Sequence, residues 1–81
     1  MNLRGKVVWV VGASSGIGAA TARELVARGA TVAISARREN ALDEVSGGRM
    51  LVVPVDVTDA DSVAAAAARV HAEHGRIDIA I

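Results

Sequence analysis

The sequence of this 81-residue chain predicts an α/β fold in which helices cover both faces of a parallel sheet. Short apolar runs rich in β-branched residues alternate with segments whose apolar residues recur at helical spacing. The segments between successive strands are long enough for the crossover helices that parallel strands require. The apolar residues, 52% of the chain, are almost all aliphatic, as is common in buried parallel strands.

The first two predicted elements are a buried strand and an amphipathic helix, joined by a glycine-rich turn. Residues 7–11 form a continuous apolar run closed by Gly12, which is typical of a strand buried on both faces. Over residues 17–28 the apolar and small residues recur at helical spacing, and Gly29 ends the pattern.

A second strand, a second helix and a third strand follow. The second strand is predicted over residues 31–36, and a weakly amphipathic helix over residues 37–46 stops at a pair of glycines. The third strand is predicted over residues 50–55. Pro54 has no N–H group to donate to a ladder, so we expect it at the margin of the pairing or on a sheet edge.

The last two predicted elements are a helix and a fourth strand. Thr58 and Asp59 are helix-starting residues, and an alanine-rich segment continues the helix to His74. Residues 77–81 begin the fourth strand. Right-handed crossovers place the first two helices on one face, and a fourth strand beside the first gives the strand order 3-2-1-4. We therefore expect part of a Rossmann-type sheet in three α/β/α layers, with a ligand crevice where the strand order reverses.

Composition excludes several classes of function. Nine basic and nine acidic side chains cancel, so the chain has no overall field that would attract nucleic acid or a membrane surface. The absence of cysteine excludes a thiolate nucleophile and a cysteine metal site, and fits a reducing compartment. No run approaches the about 20 apolar residues of a membrane span. We expect a cytoplasmic protein without nucleic-acid or membrane partners.

The turn Gly12-Ala13-Ser14-Ser15-Gly16-Ile17-Gly18 is the strongest candidate binding site. A diphosphate needs hydrogen-bond donors without bulk, and the first turn of a helix offers free N–H groups at the positive end of its dipole. Residues 16–18 are placed to supply them, and glycine leaves room for the sharp turn and for close approach of phosphates. Because the motif follows a strand and opens a helix, it predicts dinucleotide binding. We expect Gly18→Val to abolish that binding.

The motif Val11-Gly12-Ala13-Ser14-Ser15-Gly16-Ile17-Gly18 resembles the glycine motif of the short-chain dehydrogenase/reductase family. Three residues separate its first two glycines, whereas the commoner dinucleotide fingerprint has one. The similarity continues through Asp56-Val57-Thr58 and Gly75-Arg76-Ile77-Asp78. All 81 residues resemble the first third of the family.

The resemblance assigns roles to individual residues of the turn. It implies that Ser14 and Ser15 lie against the adenosine ribose and the phosphates, and that the Ile17 amide reaches the diphosphate. Without the resemblance, the two serines would be ordinary turn residues. Val11 stands where the family usually has threonine, so we expect a less ordered turn that still binds.

The end of the second strand indicates which dinucleotide is preferred. NAD enzymes usually place an acidic residue here to bind the ribose 2′-hydroxyl. This chain has Ala36 followed by Arg37 and Arg38, and a guanidinium can pair with the 2′-phosphate of NADP through two parallel hydrogen bonds. We therefore predict NADP rather than NAD, with Arg37 the stronger candidate. Arg38 could equally be a solvated residue at a helix start.

Asp56 follows the third strand and has two possible roles. The resemblance implies that its carboxylate accepts a hydrogen bond from the adenine amino group, with the Val57 backbone alongside. A turn-forming aspartate is an equally good interpretation of the residues alone, since Asp-X-Thr is common at loops and helix starts. The resemblance also makes Asp78 the structural aspartate of the family.

Two histidines and one tryptophan are interpreted as structural or surface residues. His71 and His74 lie three residues apart on one helix, but a metal site would need further ligands. We expect both to be solvated near the helix C-terminus, and we assign no metal site. Trp9 lies within a strand and is expected in the core.

No catalytic residue can be assigned. In the family, hydride transfer depends on Tyr, Lys, Ser and Asn residues beyond this region, whereas the chain has no tyrosine and only Lys6 as a lysine. We interpret residues 1–81 as the N-terminal part of a single dinucleotide-binding domain of an NADP-dependent oxidoreductase, inactive alone and without its catalytic C-terminal part. The alternative is a stand-alone or vestigial binding module. The apolar end at Ile81 favours the first interpretation, and uncovered apolar sheet surface predicts self-association.

Overall fold

The computed structural model describes residues 2–81 of the chain. Strands and helices alternate along the whole of this range, as the sequence predicts. The elements in chain order are β1 (Val7–Val11), α1 (Gly16–Ala27), β2 (Thr31–Ser35), α2 (Glu39–Ser46), β3 (Leu51–Val52), α3 (Ala60–His74) and β4 (Ile79–Ala80).

The four strands form one parallel sheet in the order β3-β2-β1-β4. The predicted order 3-2-1-4 is therefore confirmed. The central strands β1 and β2 pair along their full length, from Val7 opposite Thr31 to Val11 opposite Ser35. On the other side of β1, Val8 lies opposite Ile79. The strand order reverses between β1 and β4, and the loops at the carboxyl ends of the strands surround that point.

The two faces of the sheet bury different helices because side chains alternate along each strand. On one face Val8 and Val10 pack with buried residues of α1 and α2, among them Ala22 and Leu42. On the other face Trp9 packs with α3. The prediction of three α/β/α layers is confirmed.

Trp9 is the large side chain on the sheet face that α3 covers. It is buried in a cluster with Ala66 and Val70 of α3, which confirms the predicted core position. The indole Nε1 donates a hydrogen bond to the buried Ser35 Oγ at 2.8 Å. The only polar atom of the tryptophan side chain is thus satisfied inside the core, as a buried indole N–H requires.

The third strand is shorter than predicted. The ladder covers Leu51 and Val52. Beyond it, the amides of Val53 and Val55 still donate to the carbonyls of Ile34 and Ala36, each at 2.9 Å. Pro54 lies between these two donors, at the position whose nitrogen points away from β2. Because β3 is an edge strand, the missing N–H faces no partner strand, and the prediction that Pro54 lies at the margin of the pairing or on a sheet edge is confirmed.

The second helix begins two residues later than predicted. Arg38 is the N-cap of α2 with an extended backbone (φ −95°, ψ 105°), and its carbonyl accepts the first helical bond from the Leu42 amide at 3.1 Å. Arg37 therefore belongs to the loop after β2. The predicted helix start at residue 37 is wrong because residue 37 lies in the loop after β2 and the backbone of residue 38 is still extended.

Asp78 joins the amino ends of β1 and β4. Its Oδ2 accepts hydrogen bonds from the Val7 amide at 2.8 Å and from Arg76 Nε at 3.0 Å, and Arg76 also donates to the Gly5 carbonyl. The Val7 amide, with a smaller contribution from Arg76, holds the pKa of Asp78 below its ordinary value of 3.8. This position is structural, as the family resemblance implies.

Within residues 2–81, none of the helices has both the length and the apolar character needed to cross a membrane.

Candidate nucleotide-binding site

The glycine-rich turn is attached to the end of β2. The amides of Gly12 and Ala13 both donate to the Ser35 carbonyl, at 2.7 and 3.2 Å, and Ala13 is fully buried beneath the turn. Ser35 thus supports the turn through its backbone and binds Trp9 through its side chain. Ser35 is not among the residues that the sequence predicts for the site, because no local pattern distinguishes it from an ordinary strand serine.

The three glycines of the turn are required for different reasons. Gly12 and Gly16 have φ angles of +81° and +61°, which side chains rarely adopt, although a Cβ at either position would meet no atom within 4 Å. At Gly18 a Cβ would collide with the Gly12 carbonyl oxygen and lie 3.1 Å from Ala13 Cα. Gly18 therefore permits α1 to pack closely on the turn.

The N-terminus of α1 presents free hydrogen-bond donors. Ser15 is the N-cap, but its side chain makes no capping hydrogen bond, and the first turn contains no acidic residue. Within the described part of the chain, the amides of residues 16–18 have no acceptor. Such a helix end attracts an anion, since its donors and its dipole are both uncompensated.

The N-terminus of α3 shows the contrast. There Asp59 is the N-cap, and its side chain accepts from the amides of Asp61 and Ser62 at 3.0 and 3.4 Å. Asp61 adds negative charge in the first turn of α3. The chain therefore neutralises one of these helix ends with its own residues and leaves the other, at the glycine turn, open to a ligand.

The remaining residues of the turn lie at the surface around these amides. Ile17 is 87% exposed, which is unusual for a large aliphatic side chain next to a core helix. Ser15 is exposed and Ser14 is half-buried. The geometry thus places residues 14–18 where a ligand on the amides would contact them.

Arg37 and Asp56 meet across the loops that follow β2 and β3. Arg37 Nη2 lies 3.4 Å from Asp56 Oδ1, with the two side chains 70% and 45% exposed. Together with Pro54 and Val55 they line a shallow surface pocket. Arg38 is exposed and has no ion pair among residues 2–81. The structure thus joins two of the predicted site residues and leaves Arg38 at the helix start.

Asp56 is oriented mainly by Thr58. Asp56 Oδ1 accepts from the Thr58 hydroxyl at 2.7 Å and from the Thr58 amide at 3.0 Å. These two bonds, in that order, hold the pKa of Asp56 below its ordinary value of 3.8, with a smaller contribution from Arg37. The carboxyl group is therefore ionised at neutral pH. Asp56 thus forms a turn, which is one of the two roles that the sequence suggests for it. Its neighbour Val57 is 62% exposed.

The glycine turn and the Arg37–Asp56 pair adjoin the same strand end. The Ser35 carbonyl holds the turn, and Arg37 follows Ser35 by two residues. The Ala36 carbonyl accepts from Val55, which brings the loop containing Asp56 alongside. The uncompensated donors of α1 and the Arg37 guanidinium therefore both lie at the carboxyl edge of the sheet.

The two histidines have different environments. His71 is exposed, as predicted. The prediction that His74 is solvated is wrong, because it is half-buried and its Nε2 is buried without a hydrogen-bond partner in residues 2–81. Over the same residues, no group of three or more His, Cys, Asp or Glu side chains could hold a metal ion.

Comparison with known proteins identifies the relatives of this chain. Residues 6–81 match the family described as short chain dehydrogenase. The chain is 49% identical over 81 residues to cis-4-hydroxycyclohexanecarboxylate dehydrogenase of Sinomonas cyclohexanicum, which aligns 94% of this chain with 32% of that protein. It is 39% identical over 84 residues to 3-oxoacyl-[acyl-carrier-protein] reductase FabG of Escherichia coli, covering all of this chain and 34% of that protein.

Solved structures agree with these relatives. A short-chain type dehydrogenase/reductase from Mycobacterium marinum superposes with a TM-score of 0.93 at 39% identity, covering 98% of this chain and 34% of that chain. A 3-ketoacyl-(acyl-carrier-protein) reductase from Brucella melitensis, complexed with NADH, superposes with a TM-score of 0.92 at 32% identity and the same coverage.

The chain spans about a third of the length of the curated relatives described above (32% and 34%). The shared region contains the glycine turn, the four-stranded sheet and the loops at its carboxyl edge. Because the family match covers nearly every residue of the chain, this protein belongs to the short-chain dehydrogenase/reductase family.

Proposed function

We propose that this chain is the dinucleotide-binding segment of an oxidoreductase that transfers hydride between NADP(H) and a carbonyl or alcohol substrate. The observation that carries the proposal is the open N-terminus of α1, where the amides of residues 16–18 have no acceptor within residues 2–81 and no acidic residue compensates the helix dipole. These donors suit the diphosphate of a dinucleotide. Gly18 supports their placement by allowing α1 to pack against the turn.

The proposed site extends from the turn to the adenosine end of the cofactor. In it the turn residues bind the phosphates and ribose, the arginines bind the 2′-phosphate, and the loop after β3 contacts the adenine. The proposed cofactor-binding residues are Gly12, Ser14, Ser15, Gly16, Ile17, Gly18, Arg37, Arg38, Asp56 and Val57.

The preference for NADP is proposed from the residues that follow β2. The NADH complex of the Brucella melitensis reductase supports a nicotinamide dinucleotide as the class of ligand. In this chain, however, no carboxylate stands at residues 36–38, and Arg37 is 70% exposed, with most of its N–H groups unbonded among the residues that the structure describes. A free guanidinium favours a phosphorylated ribose over an unmodified one.

Proton transfer and self-association complete the proposal. The chain has no tyrosine, so we assign the proton that accompanies the hydride to residues of a longer protein.

For the 81-residue chain by itself we propose self-association through β4. This strand is at the sheet edge, and Ile79 and Ile81 are 44% and 58% exposed there.

The test compares Arg37→Asp with wild type in the full-length protein. Equilibrium titration with NADPH and NADH, followed by nicotinamide fluorescence, gives the two dissociation constants. Loss of a charge-assisted contact of about 1.5–3 kcal/mol should weaken NADPH binding at least about tenfold. The preference should therefore shift towards NADH.

Arg38→Asp is the matched control, because it makes the same charge change one residue further along. It should lower the NADPH preference less than Arg37→Asp does. An unchanged ratio of the two dissociation constants in Arg37→Asp would refute the assignment of Arg37. Binding of neither dinucleotide by the wild-type protein would refute the proposed function itself.

A further inference from the structure

The two carboxylate oxygens of Asp56 have different surroundings. Oδ1 accepts from the Thr58 amide at 3.0 Å, the Thr58 hydroxyl at 2.7 Å and Arg37 Nη2 at 3.4 Å. Oδ2 has no donor among the described residues. One oxygen is thus committed to the protein, and the other is available as an acceptor.

The backbone around Asp56 is held independently of this carboxylate. The Asp56 amide donates to Ser62 Oγ in the first turn of α3 at 3.0 Å, and the Asp59 amide donates to the Asp56 carbonyl at 3.0 Å. Rotation of the side chain is the freedom that remains. Both Thr58 donors restrict this rotation, and the hydroxyl makes the shorter of the two bonds.

Arg37 depends on the same oxygen. Its guanidinium has one hydrogen-bond partner within residues 2–81, Asp56 Oδ1, and the side chain is otherwise exposed. A guanidinium has five N–H donors, so most remain free after this contact. The direction in which those donors point therefore depends on where Asp56 Oδ1 is held.

We propose that Thr58 is a positioning residue that determines cofactor selectivity: by fixing Asp56 Oδ1 it orients Arg37 towards the cofactor 2′-phosphate and leaves Asp56 Oδ2 for the adenine amino group. The inference rests on the proposed function. A pre-oriented arginine loses less conformational freedom when the phosphate binds. The adenine and the 2′-phosphate are thereby recognised through one connected group of side chains.

The effect of Thr58 on selectivity should be modest. Ion pairs as exposed as Arg37 and Asp56 are weak, so their pre-orientation should change the preference for NADP over NAD by about two- to fivefold. Thr58→Val isolates this effect, because it removes the hydroxyl and keeps both the branched side chain and the negative charge of Asp56. Thr58→Ser restores a hydroxyl at the same position.

The experiment measures dissociation constants of NADP and NAD by calorimetry in the full-length protein. Thr58→Val should lower the preference for NADP by about two- to fivefold, whereas Thr58→Ser should keep it. In an Arg37→Ala background, Thr58→Val should leave the preference unchanged, since Thr58 acts through Arg37. Thr58 is exposed, and Thr58→Ala provides the same test if the valine variant folds poorly.

The outcomes separate this inference from the proposed function. If Thr58→Val raises both dissociation constants by the same factor, Thr58 only stabilises the loop and the inference is wrong, while NADP binding stands. If the wild-type protein binds neither dinucleotide, or binds both equally, the proposed NADP site fails and the inference fails with it. A fall in preference that persists in the Arg37→Ala background also overturns the inference.

Discussion

Replacing Gly18 with alanine adds one carbon atom where α1 packs on the turn after β1. The new Cβ would overlap the Gly12 carbonyl oxygen and lie 3.1 Å from Ala13 Cα. Both neighbours are backbone atoms, and both amides next to them are bound to the Ser35 carbonyl. The strain can therefore be relieved only by moving α1 away from the turn.

The magnitude follows from two opposing contributions. Overpacking costs about 1–3 kcal/mol, and the upper end applies because rigid backbone atoms are involved. Alanine is a better helix former than glycine by about 1 kcal/mol. The net loss in the free energy of unfolding should be about 2 kcal/mol. Displacement of the free amides should also cost one charge-assisted hydrogen bond, lowering dinucleotide affinity about tenfold or more.

The assay is urea denaturation followed by circular dichroism, together with titration of NADPH, in the full-length protein. Gly16→Asn is the control, because it adds a larger side chain where no atom lies within 4 Å, at a positive φ that asparagine tolerates. Its free energy of unfolding should stay within about 1 kcal/mol of wild type. A Gly18→Ala protein as stable as wild type, with unchanged affinity, would refute the packing argument.

Two further predictions concern the framework around the site. Trp9→Phe leaves Ser35 Oγ buried without its indole donor and should cost about 1–3 kcal/mol in urea denaturation. Ser35→Ala in the same protein should then cost less than in wild type, and strictly additive losses would contradict the pairing. The lowered pKa of Asp78 stabilises the fold above pH 3.8, and that contribution is lost as the pH falls through the lowered value. Asp78→Asn should therefore be less stable than wild type at pH 7, with a difference that shrinks in acid; a constant difference from pH 7 to pH 2 would exclude this linkage.

The sequence predicted the fold well because the signals are local or follow from chain chirality. The run Val7–Val11 was located to the residue, since an apolar β-branched segment closed by glycine has few other interpretations. Right-handed crossovers, together with a fourth strand that returns beside the first, predicted the 3-2-1-4 order, and the structure confirms it. The bounds of β3 and the start of α2 were predicted less accurately. They depend on where Pro54 lies in the sheet and on the extended backbone of Arg38 in the loop.

The candidate site was predicted in part. The glycine turn was predicted as a candidate binding site, and the N-terminus of α1, which has no side-chain cap, agrees with that prediction. The sequence did not show which glycines are required for their φ angles and which for close packing. Gly18 is required by its contact with Gly12 across the turn, which only the structure shows. The half-buried His74 was also missed, because burial at a helix end depends on what packs against it.

The sequence by itself determined the order of elements, the parallel sheet and the location of the glycine-rich turn, because these depend on residue type and short-range spacing. The tertiary structure alone decided which distant side chains meet. Trp9 reaches Ser35 across 26 residues, and Arg37 reaches Asp56 across 19. Both contacts depend on the pairing of β1, β2 and β3, and strand register is set by the packing of the whole sheet.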